Sequence, residues 1–166
     1  NQGSQNDASF INRITELYGK FDVIIDDGSH LTKDVKKSFH LLFPYLNNNG
    51  LYIVEDMQTS YNHFFGGNPF DLKYSNTQNN FFKSLSDSLN YNEIANPFYI
   101  KKSYDGLIKS VSFFNNMIVV SKDHNNIESN LVINNSYENK RYITKINRDK
   151  KKIFQYFIKY KILFKI

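Results

Sequence analysis

Two apolar runs, each ended by a pair of acids, constrain this chain more than anything else in it. Phe21-Asp22-Val23-Ile24-Ile25 runs into Asp26-Asp27-Gly28-Ser29-His30, and Gly50-Leu51-Tyr52-Ile53-Val54 runs into Glu55-Asp56. Both read as buried parallel strands. The segment between them, Leu31 to Leu46, has the length a helical crossover needs. A right-handed strand–helix–strand unit brings both strand ends to the same edge of one sheet. Asp26, Asp27, His30, Glu55 and Asp56 are therefore expected to gather at the carboxyl edge, where open α/β sheets bind ligands. Carboxylates crowded beside one imidazole point to a hard cation with a base next to it.

The flanking sequence extends the pattern. Asp7 or Ser9 can cap a helix from about Ala8 to Tyr18, whose apolar stripe is Phe10, Ile11, Ile14, Leu17 and Tyr18, and Gly19 closes it. The crossover helix, about Thr32 to Leu46, carries Val35, Phe39, Leu42 and Leu46 on one side, with Pro44 set to end or bend it. Asn47 to Gly50 reads as a turn into the second strand. Met57 to about Asn80 has no period and is rich in Gly, Asn and aromatics, which suits a lid or binding loop. A helix from Phe81 to Tyr91 follows, with Phe82, Leu85 and Leu89 as its core positions. Ile108 to Phe114 and Met117 to Ser121, joined by Asn115-Asn116, read as a hairpin with a type I′ turn. A short strand at Asn130 to Ile133 completes the candidates.

The order helix, strand, helix, strand, long loop, helix, hairpin is the second half of a doubly wound α/β sheet finished by an antiparallel hairpin. No strand–Gly-rich loop–helix, the unit that cradles a nucleotide-like cofactor, occurs in the 166 residues. The chain opens at Asn1 rather than Met, and the expectation is a piece of a longer protein. It divides into a partial domain at 1–122, an irregular linker at 123–146 and a basic helical tail at 147–166.

Charge separates these parts. Residues 1–135 carry 11 basic against 14 acidic side chains, net −3, while residues 136–166 carry 10 against 2, net +8. The acidic body argues against nucleic-acid binding. On a helix the tail shows two apolar faces, one with Ile153, Phe157, Tyr160 and Phe164, the other with Phe154, Ile158 and Ile162. Two faces suit packing between partners, with contact to an anionic membrane surface as the second reading. With no Cys, disulfides and thiolate metal sites are excluded. That composition fits a reducing cytoplasm, and no secretory leader or uncharged run of roughly 20 residues is present.

With those motifs laid out, a family resemblance emerges. FDVIIDDGSH, then LFPYL with GLYIVED, then TSY, resembles the metal-dependent sugar O-methyltransferases that act on macrolide and related glycosides. The resemblance covers about Gly3 to Lys122. It implies the carboxyl-terminal half of a Rossmann-like class I fold using S-adenosylmethionine and Mg²⁺ on a glycoside or saccharide substrate. It further implies Asp27, Glu55 and Asp56 as metal ligands, His30 as general base, and GSQND at Gly3 to Asp7 as a cofactor-side loop, with Gly3 and Gln5 in contact. Asp26 either orients the loop or faces the cofactor. Tyr61 and His63, in the presumed lid, are substrate candidates, and Gln58, Thr59 and Ser60 are candidates for supporting the metal pair. His40, inside a helix, reads as structural.

The residues alone carry part of this chemistry. An all-oxygen set selects Mg²⁺, Ca²⁺ or Mn²⁺ over Zn²⁺. A cation lowers the pKa of a bound hydroxyl, and an imidazole titrating near neutral pH suits proton removal. Without a cofactor loop, the chain by itself is expected to bind S-adenosylmethionine weakly, and to associate through the open edge of its first strand, a homo-oligomer included. The competing reading is a non-catalytic interaction or tethering module derived from a methyltransferase half-domain.

Overall fold

The structure, a computed structural model, describes residues 2–94 and 96–125. The candidate strand at Asn130 to Ile133 and the basic tail lie outside the described residues. Eight elements build the fold: α1 (Ala8–Tyr18), β1 (Phe21–Asp26), α2 (Thr32–Leu42), β2 (Leu46–Val54), α3 (Gln78–Lys83), α4 (Leu85–Leu89), β3 (Ile108–Phe114) and β4 (Met117–Lys122). The sheet order is β1-β2-β4-β3, with β1 and β2 parallel and the remaining pairs antiparallel. This is the expected α/β arrangement with its closing hairpin. Glu93–Ile100 separates from this body as part of a second compact unit. No helix among the described residues is long and apolar enough to cross a membrane.

Several boundaries differ from the sequence reading, each for a local reason. α2 stops at Leu42, and a single 3₁₀ turn, Phe43–Tyr45, replaces its last turn. Pro44 has no N–H for the helical ladder, so the chain tightens instead. Leu46, read as helical, is already the first residue of β2. Asn47 to Gly50 is not a separate turn but an irregularity inside β2, where Phe21 pairs with Leu46 and Val23 with Leu51. Asn49 takes φ 63° there, and a side chain on Gly50 would collide with the backbone oxygens of Asn47 and Asp22.

The helix read from Phe81 to Tyr91 is two short ones. Ser84 interrupts it, its hydroxyl donating to the Phe81 carbonyl at 2.7 Å. α3 also starts earlier, at Gln78, because Thr77 caps it by accepting from the Asn80 N–H at 3.1 Å. The hairpin turn has one left-handed residue, Asn116 at φ 60°, rather than the two that a type I′ turn requires.

One face of the sheet is covered. Phe39 of α2 stands at the centre of the core, its ring within 6 Å of those of Phe43, Tyr52, Phe81, Phe82 and Tyr104. A phenyl ring withdrawn completely from water contributes roughly 1.5–3 kcal/mol. Lys122 closes the floor by donating from Nζ to the carbonyls of Phe43, Pro44 and Leu46 at 2.8–3.0 Å, which satisfies the acceptors that the broken helix end leaves over.

The other face is open among the described residues. Val23 is 51% and Ile25 58% exposed, and Leu51 lies beside them. The stripe of α1 is also only partly used: Ile11 is buried, Leu17 and Tyr18 are exposed. Asp7 caps that helix as expected, accepting from the N–H groups of Ser9 and Phe10.

Candidate metal centre

Register puts the two acidic motifs level with each other. Asp26 pairs with Val54 at the ends of β1 and β2, and the Glu55 N–H adds one more bond to the Asp26 carbonyl at 3.2 Å. Beyond that point both chains turn sharply through left-handed residues without a glycine, His30 at φ 56° and Asp56 at φ 55°. Such conformations are uncommon for residues with a Cβ and gather at functional sites.

These turns bring three side chains together. His30 Nε2 lies 3.4 Å from Asp56 Oδ2 and 3.9 Å from Asp27 Oδ1. One ligand atom from each residue lies within 4.8 Å of the other two. Their side chains are accessible, 59% for Asp27, 40% for Asp56 and 22% for His30, so water or a ligand can reach the cluster. The Phe65 ring, 6.5 Å away and edge-on, walls the imidazole on one side. Among the described residues, His30 is the ion-pair partner of both acids, and no Lys or Arg neutralises them.

Glu55 does not join this cluster. Glu55 follows directly on the last residue of β2, and the left-handed backbone of Asp56 accompanies a carboxylate that lies beside Asp27 and His30. His30, expected as the base beside the cation, is the third residue of the cluster.

The amino-terminal loop is bonded to the same edge of the sheet. Gln5 Nε2 donates to Asp26 Oδ1 at 3.0 Å, and Gln5 Oε1 accepts from the Ser29 N–H at 2.7 Å. Gln5 thus ties the strand end to the loop carrying His30. Gly28 makes room for it, since a Cβ there would sit 1.6 Å from Gln5 Oε1. Asn6 Nδ2 and the Ser29 hydroxyl both donate to Asp34 of α2, pinning the same loop from the other side. Gly3 packs against the Phe10 ring, leaving no room for a side chain.

Asp26 faces inward. Oδ1 accepts from Gln5, Oδ2 accepts from the Tyr52 hydroxyl at 2.9 Å, and that hydroxyl also bonds Ser38 at 2.9 Å. Burial pushes the Asp26 carboxyl above the usual Asp value, against the hydrogen bonds that favour the anion. A raised folded-state pKa means that the anion is penalised in the fold. The penalty is absent below the unfolded-state pKa, where the group is protonated in both states, and grows as pH rises through the folded value. Asp26→Asn is therefore expected to flatten the acid-side pH dependence of stability and to be relatively more stable at neutral pH. Urea unfolding at a series of pH values measures this, and identical slopes for the two proteins would show that Asp26 is not the source.

The lid candidates stay outside the cluster. Tyr61 is exposed, its hydroxyl accepting from Asn79 Nδ2 at 2.9 Å, and His63 lies on Phe64. His40 is exposed, its ring edge-on to Phe81 and tilted against Tyr104, and it lies outside the cluster. Of the three residues expected to support the metal pair, Gln58 reaches Asp56 Oδ1 at 3.2 Å, while Thr59 bonds the Asp56 carbonyl. Asn116, read from the sequence only as a turn residue, also donates to Asp56 Oδ1, at 3.3 Å.

The site is a parallel strand pair in an α/β sheet with paired acids and a histidine at its carboxyl edge. The comparisons agree. The chain is 40% identical over 129 residues to the mycinamicin VI 2″-O-methyltransferase of Micromonospora griseorubida, covering 75% of this chain and 31% of that one. It is 36% identical over 125 residues to the 8-demethyl-8-(2-methoxy-α-L-rhamnosyl)-tetracenomycin-C 3′-O-methyltransferase of Streptomyces olivaceus, covering 75% and 32%. A crystal structure of a methyltransferase from the mycinamycin biosynthetic pathway, in complex with Mg and SAH, superposes with a TM-score of 0.71 at 39% identity over 76% of this chain and 33% of that one. No protein-family profile matches. In sequence and fold the chain is similar to the carboxyl-terminal half of these sugar O-methyltransferases, and it spans about a third of the length of the relatives it matches.

Proposed function

We propose that the chain forms the metal and base side of an O-methyltransferase active site, with S-adenosylmethionine as methyl donor and a sugar hydroxyl of a glycoside as acceptor. The convergence of Asp27 Oδ1, His30 Nε2 and Asp56 Oδ2 at the edge of two parallel strands carries this reading. The donor set fits Mg²⁺: two hard carboxylate oxygens, accessible to water, with no protein cation among the described residues to neutralise them. Mg²⁺ is normally held by one or two carboxylates, the remaining positions going to water or substrate oxygens.

Asp27 and Asp56 would hold the cation, which would supply acidification of the acceptor hydroxyl, and the sulfonium donor would supply the methyl group. Asp27 and Asp56 hold the acceptor side in place. His30 Nε2 takes the hydroxyl proton as the new O–CH₃ bond forms and the S–CH₃ bond breaks. Gln5, Asn6 and Asp34 keep the His30 loop fixed, so the base is aligned before substrate arrives. Glu55, Tyr61 and His63 belong to this reading as expected ligand and substrate contacts, Gly3 and Gln5 as the cofactor-side loop.

Transfer of radiolabelled methyl from S-adenosylmethionine to glycosylated polyketides tests the proposal, using the chain alone and supplemented with the amino-terminal part of a relative. Transfer is expected with Mg²⁺, lost on adding EDTA and restored by excess Mg²⁺. Transfer indifferent to EDTA would remove the metal from the mechanism. No transfer in either setting would favour the non-catalytic module.

A further inference from the structure

We propose that Asn116, in the turn between β3 and β4, is a positioning residue that aims Asp56 at the cation. The inference rests on Asp56 being a metal ligand, as proposed above. Val54 pairs with Ile118, and this register lays the hairpin turn across the residues that follow β2. Asn116 is tied there three times. Its carbonyl accepts from the Met57 N–H at 3.2 Å, its side-chain Oδ1 accepts from the Gln58 N–H at 2.8 Å, and its Nδ2 donates to Asp56 Oδ1 at 3.3 Å.

The amide has one consistent orientation. The Gln58 backbone can only donate, so the oxygen of Asn116 must face it and the NH₂ must face the carboxylate. Gln58 Nε2 donates to the same Asp56 oxygen at 3.2 Å. Two donors therefore engage Oδ1 and leave Oδ2 as the oxygen that faces His30 at 3.4 Å. A carboxylate without such partners turns freely about its last torsion, which is broad and two-fold. The brace selects which oxygen is presented and fixes the plane in which it lies.

Asparagine is the residue that meets every demand of this position. It tolerates the left-handed φ of 60° better than most side chains, and one amide supplies both the acceptor for Gln58 and the donor for Asp56. Glycine would keep the backbone and lose the brace. Aspartate would keep the turn but put a second carboxylate against Asp56.

The test is calorimetric titration of the 166-residue chain and its Asn116→Gly variant with Mg²⁺, alongside thermal melts without metal. Glycine favours positive φ, so the metal-free melt is expected to change little. The Mg²⁺ dissociation constant is expected to rise about 10- to 100-fold, the usual weight of a residue that orients a metal ligand. A purely structural role would move the melt and leave the affinity of the folded protein unchanged. Gln58→Leu, which removes the other donor without touching the turn, should weaken binding in the same direction. If Asn116→Gly gives no cooperative melt, Asn116→Ser is measured instead, because its shorter side chain also falls short of Asp56. Wild-type affinity in the folded Asn116 variant, with binding abolished by Asp56→Asn, would overturn the role of Asn116 alone. No Mg²⁺ binding by the unmodified chain would overturn the metal site and the brace together.

Discussion

Asp56→Asn is expected to abolish Mg²⁺ binding, more completely than the loss of one charge would suggest. Two N–H donors, from Gln58 and Asn116, converge on Oδ1 of this side chain. In the variant they will select the amide oxygen for themselves and turn the NH₂ group toward His30 and the cation position. A donor then stands where a ligand oxygen stood. The substitution is nearly isosteric, and the left-handed backbone of Asp56 suits Asn as well as Asp, so the fold should survive. Calorimetric titration should show no Mg²⁺ heat, with a melt close to wild type. Retained binding would show that the cation sits elsewhere. The parallel measurement on Glu55→Gln decides the part of the third acid, whose carboxylate lies outside the cluster. A loss as large as that at Asp56 would show that Glu55 swings in when the cation arrives.

The strand–helix–strand core of this fold is legible in the sequence because its signals are local. Val23 to Ile25 and Leu51 to Val54 are dense β-branched or aromatic runs, and the apolar spacing of Val35 and Phe39 marks the crossover. The edge position of Asp27, His30 and Asp56 then follows from the handedness of the crossover. What stayed hidden depends on pairing between distant segments. Leu46 could be read as the end of a helix because it continues the α2 spacing, and only the tightened turn at Pro44 releases it into β2. That Asp56 joins the cluster and Glu55 does not goes with a left-handed backbone at Asp56 that no propensity fixes. Asn116 lies 60 residues from Asp56 and meets it only through the β2–β4 register. Gln5 was legible as part of a motif, but its bridge from Asp26 to Ser29 is a tertiary fact. Asn and Gln carry no periodic signal of their own, which is why the polar bracing of this site was less visible than its acids.

His30→Ala is expected to lower the methyl-transfer rate by roughly 10²- to 10⁴-fold, the usual contribution of a positioned general base. The assay is the one proposed for the whole reaction, run at saturating Mg²⁺. Two features of the site make the result diagnostic. His30 Nε2 already lies against both acids, 3.4 and 3.9 Å away, so the imidazole is placed either to take a proton beside the cation or to bind it. The backbone at His30 is left-handed, and alanine tolerates that poorly, so a loss in His30→Ala alone could reflect a displaced loop. His30→Asn separates these effects, because Asn accepts the conformation yet cannot take up the proton. If His30 is the base, both variants lose rate and both keep wild-type Mg²⁺ affinity. If His30 is instead a ligand, Mg²⁺ affinity falls in both variants while the rate at saturating metal holds. In that case the proton leaves by another route, and Asp27, the most exposed member of the cluster, is the next group within reach of the same hydroxyl.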